Sequence, residues 1–426
     1  MKILIKNAMI LTMDENENII NRGYVLINNN VIEQVSSGDF QGQTSDFTII
    51  DGKGYCVMPG LINCHTHAAM TLLRGYGEGL PLMRWLNEKI WPMEAKFKEK
   101  HIKLGTELAV IEMLRSGTTT FNDMYFLQNI VKEAAIESGM RAVLGIALIG
   151  DKWESQLKDA CNLADTVINE KNDLIDTMFS PHSPYTLNEE ALKEISSEAK
   201  RYNKGIHIHI SETQDENNII SNKYNMTPCE LLEKCGIFKN KTVAAHCVHL
   251  SKNDMDILSN YKVSPVYNPQ SNMKLASGVA KAGEMLEMGI NLCLGTDGTS
   301  SNNNLNMFEE METGAMLQKL YYRDATKFGG KTMLKVSTVN GAKALNIKNL
   351  GSIKKGYKAD MILINLNKPN MIPLYDIYSN IVFSANGSEV EYVIINGKII
   401  MEKGNFVKID EEKIKYECNK LCSTIV

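Results

Sequence analysis

Short runs of aliphatic and β-branched residues, separated by polar turns, occupy both ends of the chain. Near the start they lie at residues 3–5, 24–27 and 31–35, and the same pattern returns at 361–364 and 392–395. Runs of this length and composition are typical of strands. Asn396-Gly397, followed by an apolar run at 398–401, is a strong hairpin signal. We therefore predict that two β-rich ends flank a different middle.

The middle of the chain, from Cys56 to Ile347, alternates helix-length amphipathic stretches with short apolar runs. The clearest of these runs lie at residues 141–149, 205–210, 242–245 and 290–294. Strands that read as continuous apolar runs are typical of parallel sheets that are buried on both faces. The alternation predicts parallel β/α units, and in an α/β barrel the functional residues follow the C-terminal ends of the strands. From about Asp410 onward we expect a closing helix.

Composition narrows the class of partner. The 426 residues carry a net charge of −4 without any long block of Lys or Arg, which argues against nucleic acid and favours a small molecule. Nine scattered cysteines without a Cys-x-x-Cys pair indicate neither disulfides nor a thiolate zinc site. The start resembles no secretion signal, and no apolar run approaches 18 residues, so we expect a cytoplasmic protein without a membrane partner.

The histidines are the most informative residues, because there are only eight and most follow predicted strands. Residues two apart in an extended chain point to the same side, so the two imidazoles of a His-x-His pair can bind one metal. If the strands form one barrel, six side chains that suit metal binding or proton transfer converge at its C-terminal mouth: His65, His67, His209, Glu212, His246 and Asp297.

Two further histidines receive other assignments. His207 alternates with His209, so we expect one of the pair to face the barrel interior and the other a covering helix, and we assign the outward, structural position to His207. His249, close to His246, is interpreted as a packing residue and is left outside the catalytic set.

Five segments carry a resemblance to a known family: Pro59-Gly60-Leu61-Ile62-Asn63-Cys64-His65-Thr66-His67, Ser180-Pro181-His182-Ser183-Pro184, His209-Ile210-Ser211-Glu212, Ala245-His246-Cys247-Val248-His249 and Gly295-Thr296-Asp297-Gly298. They resemble the amidohydrolase superfamily, and within it the branch of the 5-methylthioadenosine/S-adenosylhomocysteine deaminases and the related triazine chlorohydrolases. The resemblance covers nearly the whole chain. It implies a (β/α)8 TIM-like metal-dependent hydrolase barrel at residues 56–350, a small β-sandwich built from residues 1–55 and 351–405, and a C-terminal helix at 406–426.

The resemblance also implies a single divalent metal, held by His65, His67, His209 and Asp297 with a water completing the shell. Imidazole and carboxylate ligands suit Zn²⁺, with Fe²⁺ as the alternative. Related two-metal hydrolases bridge their ions with a carboxylated lysine on the fourth strand. The corresponding stretch here, residues 176–185, contains no lysine, so one metal is favoured.

The implied reaction is hydrolytic deamination of an adenosine derivative to the inosine derivative and ammonia. Attack on an aminopurine requires a proton on the adjacent ring nitrogen, and Glu212 is the candidate acid. Asp297 accepts a proton from the water, and His246 orients the attack.

Three residues match positions that contact the substrate in the deaminase family. They are Trp85, Glu94 and His182, of which Glu94 is suited to accept hydrogen bonds from two ribose hydroxyls.

One departure from the family pattern concerns the 5′ end of the substrate. Members that accept S-adenosylhomocysteine are expected to bind its carboxylate with arginines, but residues 145–152 supply only Lys152. Lysine offers a point charge rather than a bidentate fork. We therefore expect 5-methylthioadenosine, 5′-deoxyadenosine or adenosine to be preferred over S-adenosylhomocysteine.

Two other functions remain open on the same scaffold. The first is hydrolysis of a triazine, or deamination of guanine or cytosine, since the superfamily motifs are shared. The second is a metal-free binding module, which the complete set of candidate ligands disfavours. A homo-oligomer, either dimer or tetramer, is expected from the family alone.

Overall fold

The N-terminal part of the chain forms strands, as its apolar runs predict. The computed structural model describes residues 2–16 and 18–423. The first five strands are β1 (Lys2–Leu11), β2 (Ile19–Asn28), β3 (Val31–Ser37), β4 (Phe47–Asp51) and β5 (Tyr55–Pro59). Strands β1 to β3 pair antiparallel in sequence order, and β4 and β5 both lie parallel to β1.

The middle of the chain forms an eight-stranded parallel barrel, which confirms the predicted fold class. Its strands are β6 (Leu61–Thr66), β7 (Thr118–Tyr125), β8 (Arg141–Leu148), β9 (Ile175–Pro181), β10 (Gly205–Ile210), β11 (Thr242–His246), β12 (Ser264–Tyr267) and β13 (Cys293–Leu294). They neighbour one another in sequence order. The barrel is nearly closed, because the backbone N–H of Asp297, just beyond β13, donates to the carbonyl oxygen of His65 in β6 at 2.9 Å.

Helices cover the barrel and follow its strands. In chain order they are α1 (Leu82–Trp85), α2 (Trp91–Glu94), α3 (Glu99–Arg115), α4 (Gln128–Ser138), α5 (Trp153–Glu170), α6 (Glu189–Tyr202), α7 (Gln214–Tyr224), α8 (Pro228–Lys234), α9 (Lys252–Asn260), α10 (Pro269–Lys274), α11 (Ala282–Glu287), α12 (Thr299–Asn302), α13 (Met307–Tyr322), α14 (Gly330–Val336), α15 (Val339–Ala344), α16 (Ile377–Phe383) and α17 (Glu411–Cys422). A π-helical turn, Leu86–Ile90, joins α1 to α2. Within the described part of the chain, every helix is too short or too polar to cross a bilayer.

The C-terminal strands complete the sheet that the N-terminal strands begin. They are β14 (Met361–Asn365), β15 (Val390–Ile395), β16 (Lys398–Glu402) and β17 (Asn405–Phe406). Strand β14 pairs antiparallel with β5, so both chain ends share one mixed nine-stranded sheet. This sheet has a hydrophobic core of its own, to which Ile5, Val25 and Met361 belong. The prediction that the two ends come together in a β-rich unit is confirmed.

A buried ion pair connects the barrel to this sheet. Arg141, the first residue of β8, donates from Nε to Oδ2 of Asp360 at 2.7 Å, and a second bond from Nη2 reaches Oδ1 at 3.1 Å. The two side chains are only 2% and 1% exposed. Asp360 also accepts the backbone N–H of Asn396 in the β15–β16 turn at 2.8 Å. The carboxylate therefore fixes three segments that are distant in sequence.

We predict that Asp360→Ala lowers the free energy of unfolding by about 3–5 kcal/mol, because it removes the buried partner of the Arg141 guanidinium and leaves only the more exposed carboxylate of Asp173, at 3.9 Å, as a counter-charge. Asp39→Ala is the matched control, since it removes the exposed pair between Asp39 and Arg22 and should change stability little. Urea denaturation followed by circular dichroism measures both. Equal unfolding midpoints for Asp360→Ala and the control would contradict the assigned role.

Candidate active site

Four potential metal ligands meet at the C-terminal mouth of the barrel. Oδ1 of Asp297 lies 3.4 Å from Nε2 of His65 and 3.2 Å from Nε2 of His67, and Nε2 of His209 lies 3.4 Å from Nε2 of His67. Ligands at about 2.0–2.1 Å from a tetrahedral Zn²⁺ are separated by roughly 3.3 Å. These spacings suit a divalent ion, and the potential ligand atoms form two groups that share His65: His65, His67 and Asp297 in one, and His65, His209 and His246 in the other, with all atoms of a group within 4.8 Å of one another.

The other nitrogen of each of these imidazoles has a partner that orients the ring. Nδ1 of His67 lies 2.6 Å from the carbonyl oxygen of Met124, and Nδ1 of His209 lies 2.7 Å from that of His182. A carbonyl oxygen can only accept, so in both rings Nδ1 carries a proton and Nε2 is the nitrogen that can bind a metal. Nε2 of His65 is fully buried and has no hydrogen-bond partner among the described residues. A buried polar atom without a partner is costly, and a metal ion at this position would satisfy it.

Most of the cluster has the protonation that metal binding requires. Burial lowers the pKa of His65 to about 4 and moves the pKa of His209 well below its ordinary value, so both imidazoles are neutral. Burial opposes ionisation of Asp297, but the neighbouring imidazoles of His65 and His67 outweigh it and hold the pKa of this carboxyl well below its usual range. Burial likewise lowers the pKa of His67, yet Asp297 raises it to about 9, and metal binding must release that proton.

Asp297 is fixed by two serines that the sequence patterns did not identify. Its Oδ2 accepts from the hydroxyl of Ser271 at 2.6 Å and from that of Ser301 at 2.8 Å. Both serines are buried. They occupy Oδ2, so Oδ1 is the oxygen that faces the histidines.

The structure corrects the assignment of His207 to the outside of the barrel. His207 is fully buried, and its Nε2 lies 2.8 Å from Nδ1 of His65. Residues two apart on a strand point to the same side, so His207 and His209 in β10 both face the interior. The expectation that one of them points outward was wrong for that reason. His207 lies behind the potential ligand His65 and holds the orientation of its ring.

Glu212 and His246 face the metal-binding cluster from the ends of β10 and β11. Oε2 of Glu212 lies 3.8 Å from Nε2 of His246, and the hydroxyl of Ser277 lies 3.5 Å from Oε1. Asn272 fixes the imidazole of His246, since its Oδ1 lies 2.9 Å from Nδ1. Burial raises the pKa of Glu212, which favours the protonated form that can act as an acid.

A second buried glutamate shapes the turn that carries Glu212. The carboxylate of Glu216 accepts the backbone N–H groups of Ser211 at 2.8 Å and Glu212 at 2.9 Å. Ser211 has a φ of 49°, a conformation that few non-glycine residues adopt. The two bonds to Glu216 stabilise this turn and thereby aim the Glu212 side chain at the cluster.

The predicted substrate-contacting residues line one cavity with the cluster. This cavity encloses about 700 Å³ including its open mouth, and its walls include Trp85, Glu94 and His182. Trp85 is buried, and its indole N–H donates to the carbonyl of Tyr76 at 3.4 Å. His182 lies next to the ligand His209, with ring centroids 4.7 Å apart.

Glu94 differs from an ordinary solvated glutamate. Its Oε1 accepts from the hydroxyl of Tyr125 at 2.6 Å, and burial raises the pKa of its carboxyl to about 7. The other oxygen stays available to a ligand in the cavity. His249, by contrast, does not line this cavity and donates from Nε2 to the carbonyl oxygen of Ser277 at 2.6 Å.

Several site residues that the sequence analysis did not identify lie at or after the ends of strands. Ser271 and Asn272 follow β12, and Tyr125 ends β7, so they occupy the same type of position as the predicted ligands. Reading the C-terminal ends of all eight strands, rather than only those with histidines, would have found them. Glu216 lies inside α7, and no pattern distinguishes it from a surface helix carboxylate.

Comparisons with known proteins agree with this geometry. Residues 56–400 match the amidohydrolase family. A 5-methylthioadenosine/S-adenosylhomocysteine deaminase from Clostridium tetani is 60% identical over 426 residues, covering 100% of this chain and 99% of the relative. A 5′-deoxyadenosine deaminase from Methanosarcina acetivorans is 42% identical, covering 100% of this chain and 98% of the relative.

Among solved structures, an adenosine deaminase from Xanthomonas campestris with bound zinc superposes with a TM-score of 0.94 and 32% identity. The match covers 99% of this chain and 98% of that one. The predicted resemblance is thus confirmed, over nearly the full length of both chains. The match to the family and the identity to its members establish that the chain belongs to the amidohydrolase family.

Proposed function

We propose that the protein deaminates the purine ring of adenosine nucleosides hydrolytically, at a single divalent metal, most favourably Zn²⁺. The substrates are 5-methylthioadenosine, 5′-deoxyadenosine or adenosine, and the products are the inosine derivative and ammonia. One observation carries the proposal: a single cavity has the metal-binding cluster and Glu212 in one wall and the Glu94 carboxylate in another. The names of the relatives support it.

His65, His67, His209 and Asp297 would hold the metal. A divalent ion at this position would lower the pKa of a water molecule towards neutrality, so that hydroxide would be available as the nucleophile near neutral pH. The ionised carboxylate of Asp297 accepts the proton of this water. Nε2 of His246, on a ring fixed by Asn272, hydrogen-bonds the attacking oxygen and aligns it with C6 of the purine.

Glu212 performs the proton transfer to the base. As C6 is attacked, the protonated carboxyl donates its proton to N1, which prevents negative charge from accumulating on the ring. Burial raises the pKa of this carboxyl and so favours its protonated form, and the backbone N–H groups of Ser211 and Glu212, which donate to Glu216, fix the turn that presents it. A second proton transfer, to the amino group, then allows ammonia to leave.

Glu94 provides the reason to favour a nucleoside over a free base or a triazine. A carboxylate can accept hydrogen bonds from two neighbouring ribose hydroxyls, whereas neither a free base nor a triazine offers such a pair. Trp85 and His182 line the same cavity and are assigned to substrate contact. The cavity lining contains no arginine among the described residues, which supports neutral 5′ groups over the charged amino-acid tail of S-adenosylhomocysteine.

We predict that each chain binds one equivalent of Zn²⁺ and that His209→Ala weakens the affinity by more than about 100-fold, because loss of an outer partner alone costs about 10–100-fold. His249→Ala is the matched control, since His249 lies near His246 but outside the cluster, and it should retain the affinity. Equilibrium dialysis with metal analysis measures both. Two ions per chain would contradict the single-metal site.

The reaction itself is tested by ammonia release from a panel of adenosine, 5′-deoxyadenosine, 5-methylthioadenosine, S-adenosylhomocysteine, guanine, cytosine and a chlorotriazine. The adenosine nucleosides should react, and Glu212→Gln should lower kcat by about 10²–10⁴-fold through loss of the acid. A kcat/KM that clearly favours S-adenosylhomocysteine would refute the predicted 5′ preference. Turnover of only free bases or the triazine would overturn the proposed substrate class.

A variant of Glu94 distinguishes a site for nucleosides from a site for free bases. Glu94→Ala should lower kcat/KM for adenosine by about 10–150-fold, the cost of losing hydrogen bonds to a charged group, and should leave any activity on adenine unchanged. The control is Glu88→Ala, which alters an exposed glutamate on the π-helical turn that precedes α2. Steady-state kinetics on both substrates decide the point, and equal losses on adenosine and adenine would remove the ribose role from Glu94.

A further inference from the structure

A second hollow lies beside the active-site cavity and shares part of its wall. It is a groove of about 1590 Å³ including its open side, and Trp91, Glu94, Phe126 and Ile149 line both spaces. Three of the proposed metal ligands, His67, His209 and Asp297, line the inner cavity and not the groove. The groove therefore begins at the level of Glu94 and extends away from the metal cluster.

The proposed function sets the direction of a bound nucleoside. The amino carbon of adenine lies at the end of the base farthest from the sugar, so the purine reaches the cluster while the ribose stays at Glu94. The 5′ carbon belongs to the outer end of the ribose. A substituent on that carbon consequently points past Glu94 into the shared boundary with the groove.

The apolar surface of the groove is larger than a methylthio group can cover. Beyond the shared residues, its wall includes Phe97, Ile102 and Leu127. Leu127 is 41% exposed and has a φ of 49°, a conformation that is unusual for an aliphatic residue. An exposed leucine at this position adds apolar surface at the mouth of the groove without filling the hydrophobic core.

Apart from Glu94 at the boundary with the inner cavity, the charged side chains of the groove are Asp151 and Lys152. Asp151 and Lys152 belong to its lining and are both exposed to solvent. An exposed ion pair typically changes binding by less than about fivefold, because water screens it. Each buried methylene group, in contrast, contributes roughly a fourfold gain when it is fully removed from water. Apolar contact therefore outweighs the exposed charges.

We propose that this groove binds extended apolar 5′ substituents, so that adenosine 5′-thioethers with alkyl or aryl groups larger than methyl are substrates. This inference rests on the proposed function. It extends the substrate class from small 5′ groups to long apolar ones and assigns Phe97, Phe126 and Leu127 to specificity.

The test is a series of 5′-alkylthioadenosines from methyl to butyl, with adenosine as the common reference and S-adenosylhomocysteine as the charged competitor. The expected kcat/KM rises about twofold to fourfold per methylene group, according to how completely each is buried. The gain should lie in KM with kcat nearly constant, because the substituent is remote from the reacting carbon.

A variant locates the effect in the groove. Leu127→Asn should lower the ratio of kcat/KM for the butyl thioether to that for adenosine by about twofold to fourfold. Asparagine tolerates a positive φ, so this variant should fold. Ile168→Asn is the control, because Ile168 is 44% exposed on α5 and does not line the groove, and it should keep the ratio of the parent.

The possible failures are distinguishable. If adenosine is deaminated but the alkyl series is flat or falls, the groove proposal is overturned while the proposed function stands. A preference for S-adenosylhomocysteine over the butyl thioether would overturn it in favour of recognition by the charged edge. If no nucleoside in the series reacts, the proposed function fails and the groove proposal falls with it.

Discussion

The active site depends on which ring nitrogen of each buried histidine at the barrel mouth is unprotonated and where its lone pair points. A metal needs the unprotonated nitrogen of each imidazole. Two of the proposed ligands direct Nε2 to the cluster by donating from Nδ1 to a carbonyl oxygen, that of Met124 for His67 and that of His182 for His209. Each carbonyl belongs to another strand end, so adjacent strands must be in register before the site exists. The barrel thus fixes both the positions and the tautomers of the histidines that are proposed to bind the metal.

The same constraint explains why the mouth of the barrel has so many buried polar side chains. His207, Asn272, Ser271 and Ser301 are assigned no step of the reaction, yet each fixes one member of the site, His65, His246 or Asp297, by a hydrogen bond. If a ring or carboxylate could rotate freely, the separations of 3.2–3.4 Å within the cluster would not be maintained. Burial of these partners also excludes water, which strengthens every charge interaction in the site.

Much of this arrangement follows from the sequence because parallel strands obey a simple rule. The strand β10 begins at Gly205 and ends at Ile210 as its apolar run predicts, and the ligand histidines lie at strand ends where a barrel collects them. The short strand β13 covers only Cys293–Leu294, less than the apolar run at 290–294, because the backbone N–H groups of Ile290 and Leu292 bond locally, to the carbonyl oxygens of Met285 and Ile290. Element type was therefore more predictable than element length.

The contributions of the connecting turns could not be derived in this way. His246 and Asp297 have φ values of 71° and 63°, and these left-handed conformations redirect the side chains after the strands end. The residue types do not predict these left-handed conformations, since glycine or asparagine is the usual occupant of such positions. The hydrogen bond that the backbone N–H of Ser211 donates to Glu216 could likewise not be predicted from the sequence.

The central claim is that water replaces the amino group of a purine nucleoside in this cavity. The most direct measurement is mass spectrometry of the product formed from 5-methylthioadenosine by the zinc-loaded protein in water enriched in heavy oxygen. The account predicts 5-methylthioinosine that carries one heavy oxygen on its purine ring, with one ammonia released for each molecule formed. Unchanged nucleoside, or free adenine from cleavage of the glycosidic bond, would contradict it.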